Sequence, residues 1–347
     1  MTGTVAILGA GAMGSAFATP FRTAGWEVRL WGTWLDDHLL AACRQGLPHP
    51  RTKVPLAPGT HLFDADGLAE ALTGADTVVL AVASVGAVHV TELALPHMAA
   101  ADRYLVSSKG FEPDADGRIQ LLPDALRARA TALGADLPPI VAVGGPCKAN
   151  EVAAGRPTAA ILACRDREVA VTTARALRTD AYRAAVSADE SGVEVCAPMK
   201  NVYAIALGIA DGLSSRGGEP FHNLKAAGFA QSVAEMMTLA GALGGDPVTA
   251  TGLAGAGDLE VTGLSGRNRL YGTRIGAGER APEALAAMER EELTVEGVPA
   301  ARLAQQLVDQ RLPELWPQLP LLRAIVAVLD GADDPGRIIA EAVLPDA

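Results

Sequence analysis

Cysteine is scarce and scattered: the four copies, Cys43, Cys147, Cys164 and Cys196, form no C-x-x-C pair. The six histidines, at positions 38, 49, 61, 89, 97 and 222, form no pair at ligand spacing either. Reduced thiols and no structural metal are therefore expected. Basic residues are outnumbered, 29 Lys and Arg against 40 Asp and Glu, for a formal net charge of −11. That balance speaks against nucleic acid or an anionic membrane as a partner, so any bound anion must be held locally. No uncharged apolar run reaches the ~20 residues of a membrane span, and the N-terminus lacks the basic, apolar and cleavable stretches of an export signal. A cytoplasmic protein without membrane insertion is expected.

What is present is apolar and long. The 347 residues are 49% hydrophobic, enough for two cores of roughly 150 residues each. The first begins with Thr4–Leu8, a short β-branched run that feeds into Gly9-Ala-Gly11-Ala-Met-Gly14 and then a helix-like Ser15–Ala24. Strand, glycine turn and helix in this order suit a dinucleotide. The first glycine permits the tight turn, the second lets backbone approach a pyrophosphate, and the third lets helix and strand pack closely.

Further short strands are expected at Glu27–Trp31, Asp76–Val82, Arg103–Ser107, Pro139–Val143, Thr158–Ala163 and Tyr182–Ser187. Helix-length segments lie around Val85–Ala99, Ile119–Leu133 and Asp166–Leu177. The alternation predicts an α/β unit with a doubly wound, Rossmann-like parallel sheet, whose ligands gather at the carboxyl ends of the strands. Two strand ends carry unusual chemistry: Val106-Ser-Ser-Lys109-Gly-Phe-Glu112, and Gly144-Gly-Pro-Cys-Lys-Ala149-Asn-Glu-Val152. After a polar hinge at Ala188–Gly192 the pattern becomes almost wholly helical. This places a dinucleotide-binding domain at 1–189 and a mostly α-helical domain at 190–347.

The residue after the second strand usually reads the adenosine ribose. Here Gly32-Thr33-Trp34-Leu35 offers neither an acid nor an arginine, Asp36 and Asp37 come late, and no Lys or Arg lies between Trp31 and Arg44. A 2′-phosphate would meet carboxylates without countercharge, so a modest preference for NAD, with NADP also used, is the expectation.

In the second half, Val195–Asp211 is small and apolar apart from the adjacent Lys200 and Asn201. A lysine among buried-type residues loses hydration, which a partner, a shifted pKa or a bound anion must offset. Pro198 suggests a helix start, placing Lys200 in an electropositive first turn, where a general acid/base would give up its proton readily. Further on, Asp258 and Thr262 stand one helical turn apart. Gly263–Gly266 then reads as a flexible turn delivering Arg267 and Asn268, a guanidinium and an amide suited to phosphate.

These motifs together resemble the soluble NAD(P)-dependent glycerol-3-phosphate dehydrogenases over nearly the whole chain. The matching residues are Gly9–Gly14, Ser108-Lys109-Gly110, Gly145–Val152, Pro157-Thr158, Lys200-Asn201, Asp211-Gly212, Asn223, Gly255–Asp258, Thr262, Arg267-Asn268 and Val295-Glu296-Gly297. The resemblance implies Lys200 as acid/base and Lys109 as a holder of substrate and cofactor. It places Asn201, Asp258 and Thr262 along the site, and Arg267 and Asn268 on a substrate phosphate. Cofactor contacts are implied for Gly9, Gly11, Ala12, Met13, Gly14, Lys109, Ala149, Arg267 and Glu296. The implied reaction is reversible hydride transfer from NADH or NADPH to dihydroxyacetone phosphate, giving sn-glycerol 3-phosphate, by a homodimer. Three stretches depart from the family: Cys147-Lys148, Ala230-Gln231-Ser232 in place of Thr-Arg-Gly, and a decorated loop at Arg216–His222. They leave open a related polyol phosphate or phosphonate as substrate, and a non-catalytic dinucleotide sensor as the other alternative.

Overall fold

The computed structural model describes residues 3–345. The chain divides into two compact units, Met1–Lys109 with Leu122–Glu190, and Gly110–Leu121 with Ser191–Ala347. The short excursion Gly110–Leu121 therefore groups with the helical half, an assignment no local pattern signals.

The strands, in chain order, are β1 (Thr4–Leu8), β2 (Glu27–Trp31), β3 (Thr60–Phe63), β4 (Thr77–Leu80), β5 (Arg103–Val106), β6 (Phe111–Pro113), β7 (Ile119–Leu121), β8 (Ile140–Gly144), β9 (Thr158–Ala163) and β10 (Tyr182–Ser187). The first unit's helices are α1 (Ala12–Thr23), α2 (Asp37–Arg44), α3 (Leu68–Leu72), α4 (Ser84–Ala94), α5 (Leu122–Ala132), α6 (Ala149–Ala153) and α7 (Arg167–Ala176). Its eight strands run in the order β10-β9-β8-β5-β4-β1-β2-β3. Helices cover both faces of such a sheet, so its central strands carry apolar residues continuously instead of alternating. Val5, Ile7, Val79 and Leu105 belong to one buried cluster, while Ala6, Leu8, Leu80 and Val106 belong to the other.

Three details differ from the expected pattern. The β8–β9 pairing is antiparallel, so the sheet is mostly rather than wholly parallel. Strand β3, absent from the sequence reading, extends the edge beside β2; its Leu62 and Phe63 are only half-buried, leaving a weak pattern. The helix expected over Ile119–Leu133 begins only at Leu122, because Ile119–Leu121 pairs antiparallel with Phe111–Pro113.

The second unit contains α8 (Glu190–Gly217), α9 (His222–Ala242), α10 (Asp258–Ser265), α11 (Arg267–Gly276), α12 (Ala281–Arg290), α13 (Gly297–Arg311), α14 (Pro320–Leu329) and α15 (Pro335–Val343). Strand β7 is fastened to α13, with the Ile119 amide donating to Gln310 Oε1 at 2.9 Å. Helix α8 is the axis of this unit. Its residues from Val202 to Leu207 are no more than 2% exposed on any side, the mark of a helix surrounded by others. By length and composition it could cross a membrane, but its apolar stretch is wholly buried within the protein.

Pro198 lies inside α8 rather than at its start. An interior proline loses one backbone hydrogen bond, and burial of the flanking apolar turns outweighs that loss. The decorated loop at 216–222 is short in space, since α8 runs to Gly217 and α9 begins at His222.

Helices α8 and α11 touch backbone to backbone. A Cβ on Gly208 would come within 2.1 Å of the Arg269 carbonyl oxygen, and one on Gly212 within 2.2 Å of that of Thr273. From the other helix, a Cβ on Gly272 would meet the Ile205 carbonyl at 2.0 Å, and one on Gly276 that of Ile209 at 2.1 Å. Both helices use glycines four residues apart, so the two small faces interlock. Gly272→Ala is expected to lower stability by about 1–3 kcal/mol or more through overpacking. Gly86→Ala in α4, where a Cβ meets nothing within 4 Å, is expected to be neutral or slightly stabilising. Thermal unfolding of both variants checks the contrast.

Candidate active site

In the first unit the glycine turn closes as its residue types require. Gly9 has φ +107°, a conformation that favours glycine, and a Cβ there would strike the Ala81 carbonyl at 2.9 Å. A Cβ on Gly14 would lie 1.9 Å from the Gly9 carbonyl oxygen, so strand and helix meet through that position. Gly11 differs: the nearest atom to its Cβ position is Arg51 Nη1, at 3.9 Å. Its open backbone precedes Ala12 and Met13 at the free N-terminus of α1. The cradle fits a dinucleotide pyrophosphate.

Lys109 follows β5 and is half-buried. The serines before it are pinned to the strand-β4 segment, Ser107 Oγ donating to the Leu80 carbonyl at 2.9 Å and Ser108 Oγ to that of Val82 at 2.7 Å. Beyond β8, Gly145 turns the chain at φ +99° and Ala149 opens α6. This short helix lies along α1, tied by Thr19 Oγ1 donating to the Ala153 carbonyl at 2.9 Å.

In the second unit the structure brings together Lys200, Asn201, Asp258, Thr262, Arg267, Asn268 and Glu296. Lys200 is 8% exposed and Asp258 1% exposed, and the ammonium donates to Asp258 Oδ1. Lys200 sits ten residues beyond Glu190, the start of α8, so the expected helix-start field is not what surrounds it. Its dehydration is offset by a carboxylate. Asp258 comes from a wide turn, Leu253–Gly257, where a Cβ on Gly255 would lie 2.0 Å from the Ala250 carbonyl. Its second oxygen, Oδ2, is buried with no hydrogen-bond donor. Thr262 stands one turn on, Oγ1 donating to the Asp258 carbonyl at 2.6 Å.

Arg267 and Asn268 open α11, and the break between α10 and α11 is the single residue Gly266, not a flexible turn. Arg267 keeps 47% of its side chain exposed, its Nη2 3.9 Å from Glu296 Oε1. Asn268 faces inward at 6% exposure. Its Nδ2 donates to Asn201 Oδ1 at 2.9 Å, and its Oδ1 accepts from the Gly297 amide at 2.8 Å. Asn201 Nδ2 in turn donates to Glu296 Oε2 at 3.3 Å. Asn201 and Asn268 thus brace α8, α11 and the start of α13 against one another.

The N-terminal profile of the NAD-dependent glycerol-3-phosphate dehydrogenases matches residues 4–170, and the C-terminal profile matches residues 189–340. The chain belongs to this family. It is 36% identical to the "NADP(+)-dependent glycerol-3-phosphate dehydrogenase" of Archaeoglobus fulgidus over 87% of this chain and 89% of that protein. It is also 36% identical to the "Glycerol-3-phosphate dehydrogenase [NAD(P)+]" of Symbiobacterium thermophilum, over 94% and 89%. The crystal structure of glycerol-3-phosphate dehydrogenase from Coxiella burnetii superposes with TM-score 0.83 at 29% identity, covering 98% of each chain.

The dehydrogenase also contains polar clusters the sequence did not announce. Glu235 is wholly buried. It accepts from the Leu321 and Leu322 amides at the start of α14 (2.6 and 2.9 Å), from Tyr203 Oη (3.0 Å) and from Gln231 Nε2 (3.0 Å). Burial pushes this carboxyl up from its ordinary range and the Tyr203 phenol well above its own. Asp211 holds Lys225 Nζ at 2.9 Å and also Arg269 Nε. A Gln four residues before a buried Glu on α9 was the available signal for the first cluster. The departure Ala230-Gln231-Ser232 thereby serves the core: Ser232, fully buried, donates to the Gly228 carbonyl at 2.6 Å.

Breaking the buried pair of the dehydrogenase strands a charge. Asp258→Ala is expected to cost about 3–5 kcal/mol of folding free energy, while Lys200→Met combined with Asp258→Leu recovers most of it. Denaturant unfolding reads both. A single variant as stable as the parent would remove the pair from the architecture.

Proposed function

We propose that the enzyme catalyses reversible reduction of dihydroxyacetone phosphate to sn-glycerol 3-phosphate. The observation that carries this reading is the buried Lys200–Asp258 pair, in which a proton donor is fixed beside an acceptor oxygen that still lacks a donor. When bound, NADH or NADPH supplies the hydride, and NAD or NADP accepts it in reverse. In reduction Lys200 Nζ delivers its proton to the substrate oxygen, and in oxidation it recovers it. Asp258 Oδ1 holds the ammonium in line, and the buried Oδ2, which has no donor, keeps negative charge beside it. Thr262, bonded to the Asp258 backbone, keeps the carboxylate's helical turn in place.

Arg267 anchors the substrate phosphate. It stands exposed on the first turn of α11, where guanidinium and free backbone amides reinforce one another toward an anion. Asn268 acts with it through the backbone it braces. A phosphate held at one end fixes the carbonyl at the other, which replaces a bimolecular encounter. From the first unit we assign the Gly9–Gly14 backbone and Ala149 to the cofactor and Lys109 to holding both substrate and cofactor. Glu296, beside Arg267, is assigned to the cofactor as well. With its apolar axis buried and its net charge negative, the protein is read as a cytoplasmic enzyme acting on a small metabolite.

Lys200→Ala is expected to lower kcat by about 10²–10⁴, with nucleotide affinity within a few-fold. Near-parental turnover would end the acid/base assignment. For Arg267→Ala the expected result is a sharp rise in KM for dihydroxyacetone phosphate and a far smaller change with unphosphorylated dihydroxyacetone. Equal losses on both substrates would mean that Arg267 supports the fold or the cofactor.

A further inference from the structure

We propose that Asp211 is a positioning residue for the substrate phosphate: by tying the first turn of α11 to α8, α9 and the end of α10, it sets where Arg267 stands relative to the Lys200–Asp258 pair. This deepens the reading of Arg267 as the phosphate anchor and rests on it.

A single exposed ion pair fixes little, because two long side chains seldom keep one geometry, whereas a carboxylate shared by two cations forms a network that does. Asp211 is such a carboxylate, with 20% of its side chain exposed. Lys225 Nζ donates to its Oδ1 at 3.0 Å and to its Oδ2 at 2.9 Å, and Arg269 Nε donates to Oδ2 at 2.5 Å. The same Lys225 ammonium lies 3.5 Å from the Gly263 carbonyl oxygen. That carbonyl belongs to the last turn of α10, where helix oxygens lack intrahelical amides and the dipole favours a cation. Four helices thus meet at one carboxylate: α8 supplies Asp211, α9 Lys225, α11 Arg269 and α10 the carbonyl.

Arg267 is the first residue of α11 and Arg269 the third. Two positions on a helix are turned by roughly 200° from one another. Holding Arg269 toward α8 therefore holds Arg267 on the opposite side of the turn. At Arg269 two constraints coincide, since its carbonyl oxygen lies against Gly208 of α8 and its side chain is held by Asp211 on the same helix. Arg267 has much less fixing of its own, with its side chain 47% exposed and the Glu296 carboxylate 3.9 Å away.

The corner before it is continuous. The Gly266 amide donates to the Thr262 carbonyl at 3.0 Å, and the Leu270 amide donates to the Gly266 carbonyl at 3.0 Å. A shift at the start of α11 is accordingly passed to α10, which carries Asp258 and Thr262. The span from guanidinium to ammonium must match the span from a substrate's phosphate to its carbonyl, so Asp211 sets a length as well as an orientation.

Steady-state kinetics of the full-length enzyme with dihydroxyacetone phosphate and with unphosphorylated dihydroxyacetone, both reduced cofactors being present, tests this. Asp211→Asn removes a negative charge, which by charge alone would favour a nearby phosphate, whereas lost positioning has the opposite sign. The expected result is a fall of about tenfold in kcat/KM for the phosphorylated substrate, carried mainly by KM, with a change within about twofold for the unphosphorylated one. Added to Arg267→Ala, Asp211→Asn is expected to change kcat/KM by no more than about twofold further, because the anchor it positions is already gone. Lys225→Met, which keeps the Asp211–Arg269 bond, is expected to give the same selective loss at smaller size, and it carries the test if Asp211→Asn does not fold. Equal losses on both substrates, no loss on either, or a gain for the phosphorylated one overturns the proposal, and the anchor reading stands as long as Arg267→Ala is selective. If Arg267→Ala weakens both substrates alike, the anchor reading fails and the proposal falls with it.

Discussion

Side chains ordinarily hold helix axes 8–10 Å apart. Helices α8 and α11 escape that spacing because Gly208 and Gly212 face Gly272 and Gly276, and a Cβ at any of the four would come within 2.2 Å of a carbonyl oxygen. A third close approach adds to these: a Cβ on Gly297 would lie 2.4 Å from the Asn201 carbonyl oxygen. With the backbones this near, the short amide of Asn268 spans from Asn201 to the Gly297 amide. The relative placement of Lys200, Arg267 and Glu296 follows from that fit, since each stands on or beside one of the three helices. Their side chains are held in register because the glycines leave no room for slippage.

Within this tight interior, charges persist because each has a defined counterpart. Lys200 has Asp258; Asp211 has Lys225 and Arg269; Glu235 has four neutral donors. The last case is a core solution, in which helix-start amides and a phenol satisfy the carboxylate. The first differs in leaving Asp258 Oδ2 unmet. An acceptor left without a donor at such cost sets this pair apart from the other two.

Much of the fold was legible locally. The runs Thr4–Leu8, Glu27–Trp31 and Thr158–Ala163 are strands over those residues, because short apolar or alternating segments flanked by turns admit few other structures. The glycine turn was legible for the same reason, its residues being dictated by φ and close approach. Pro198 misled, since a proline rule describes local propensity and a helix buried on every side can override it. The place of Asp36 beneath the glycine turn was not legible, because sequence distance from β2 says nothing about which side chain turns inward.

By itself, then, the sequence determined the Rossmann-like and helical parts and the glycine turn, and it named Lys200, Asp258, Arg267 and Asn268 as candidates. These rest on short-range periodicity and on residue types whose chemistry does not depend on context. Only the tertiary structure decided that Lys200 is partnered by Asp258, that Asn201 and Asn268 brace helices, that Asp36 is buried beneath the glycine turn and that Arg51 lies over it. Each of these joins residues brought together by chain folding, and the energies involved, desolvation of charge and backbone close packing, exist only once the solvent between them has been expelled.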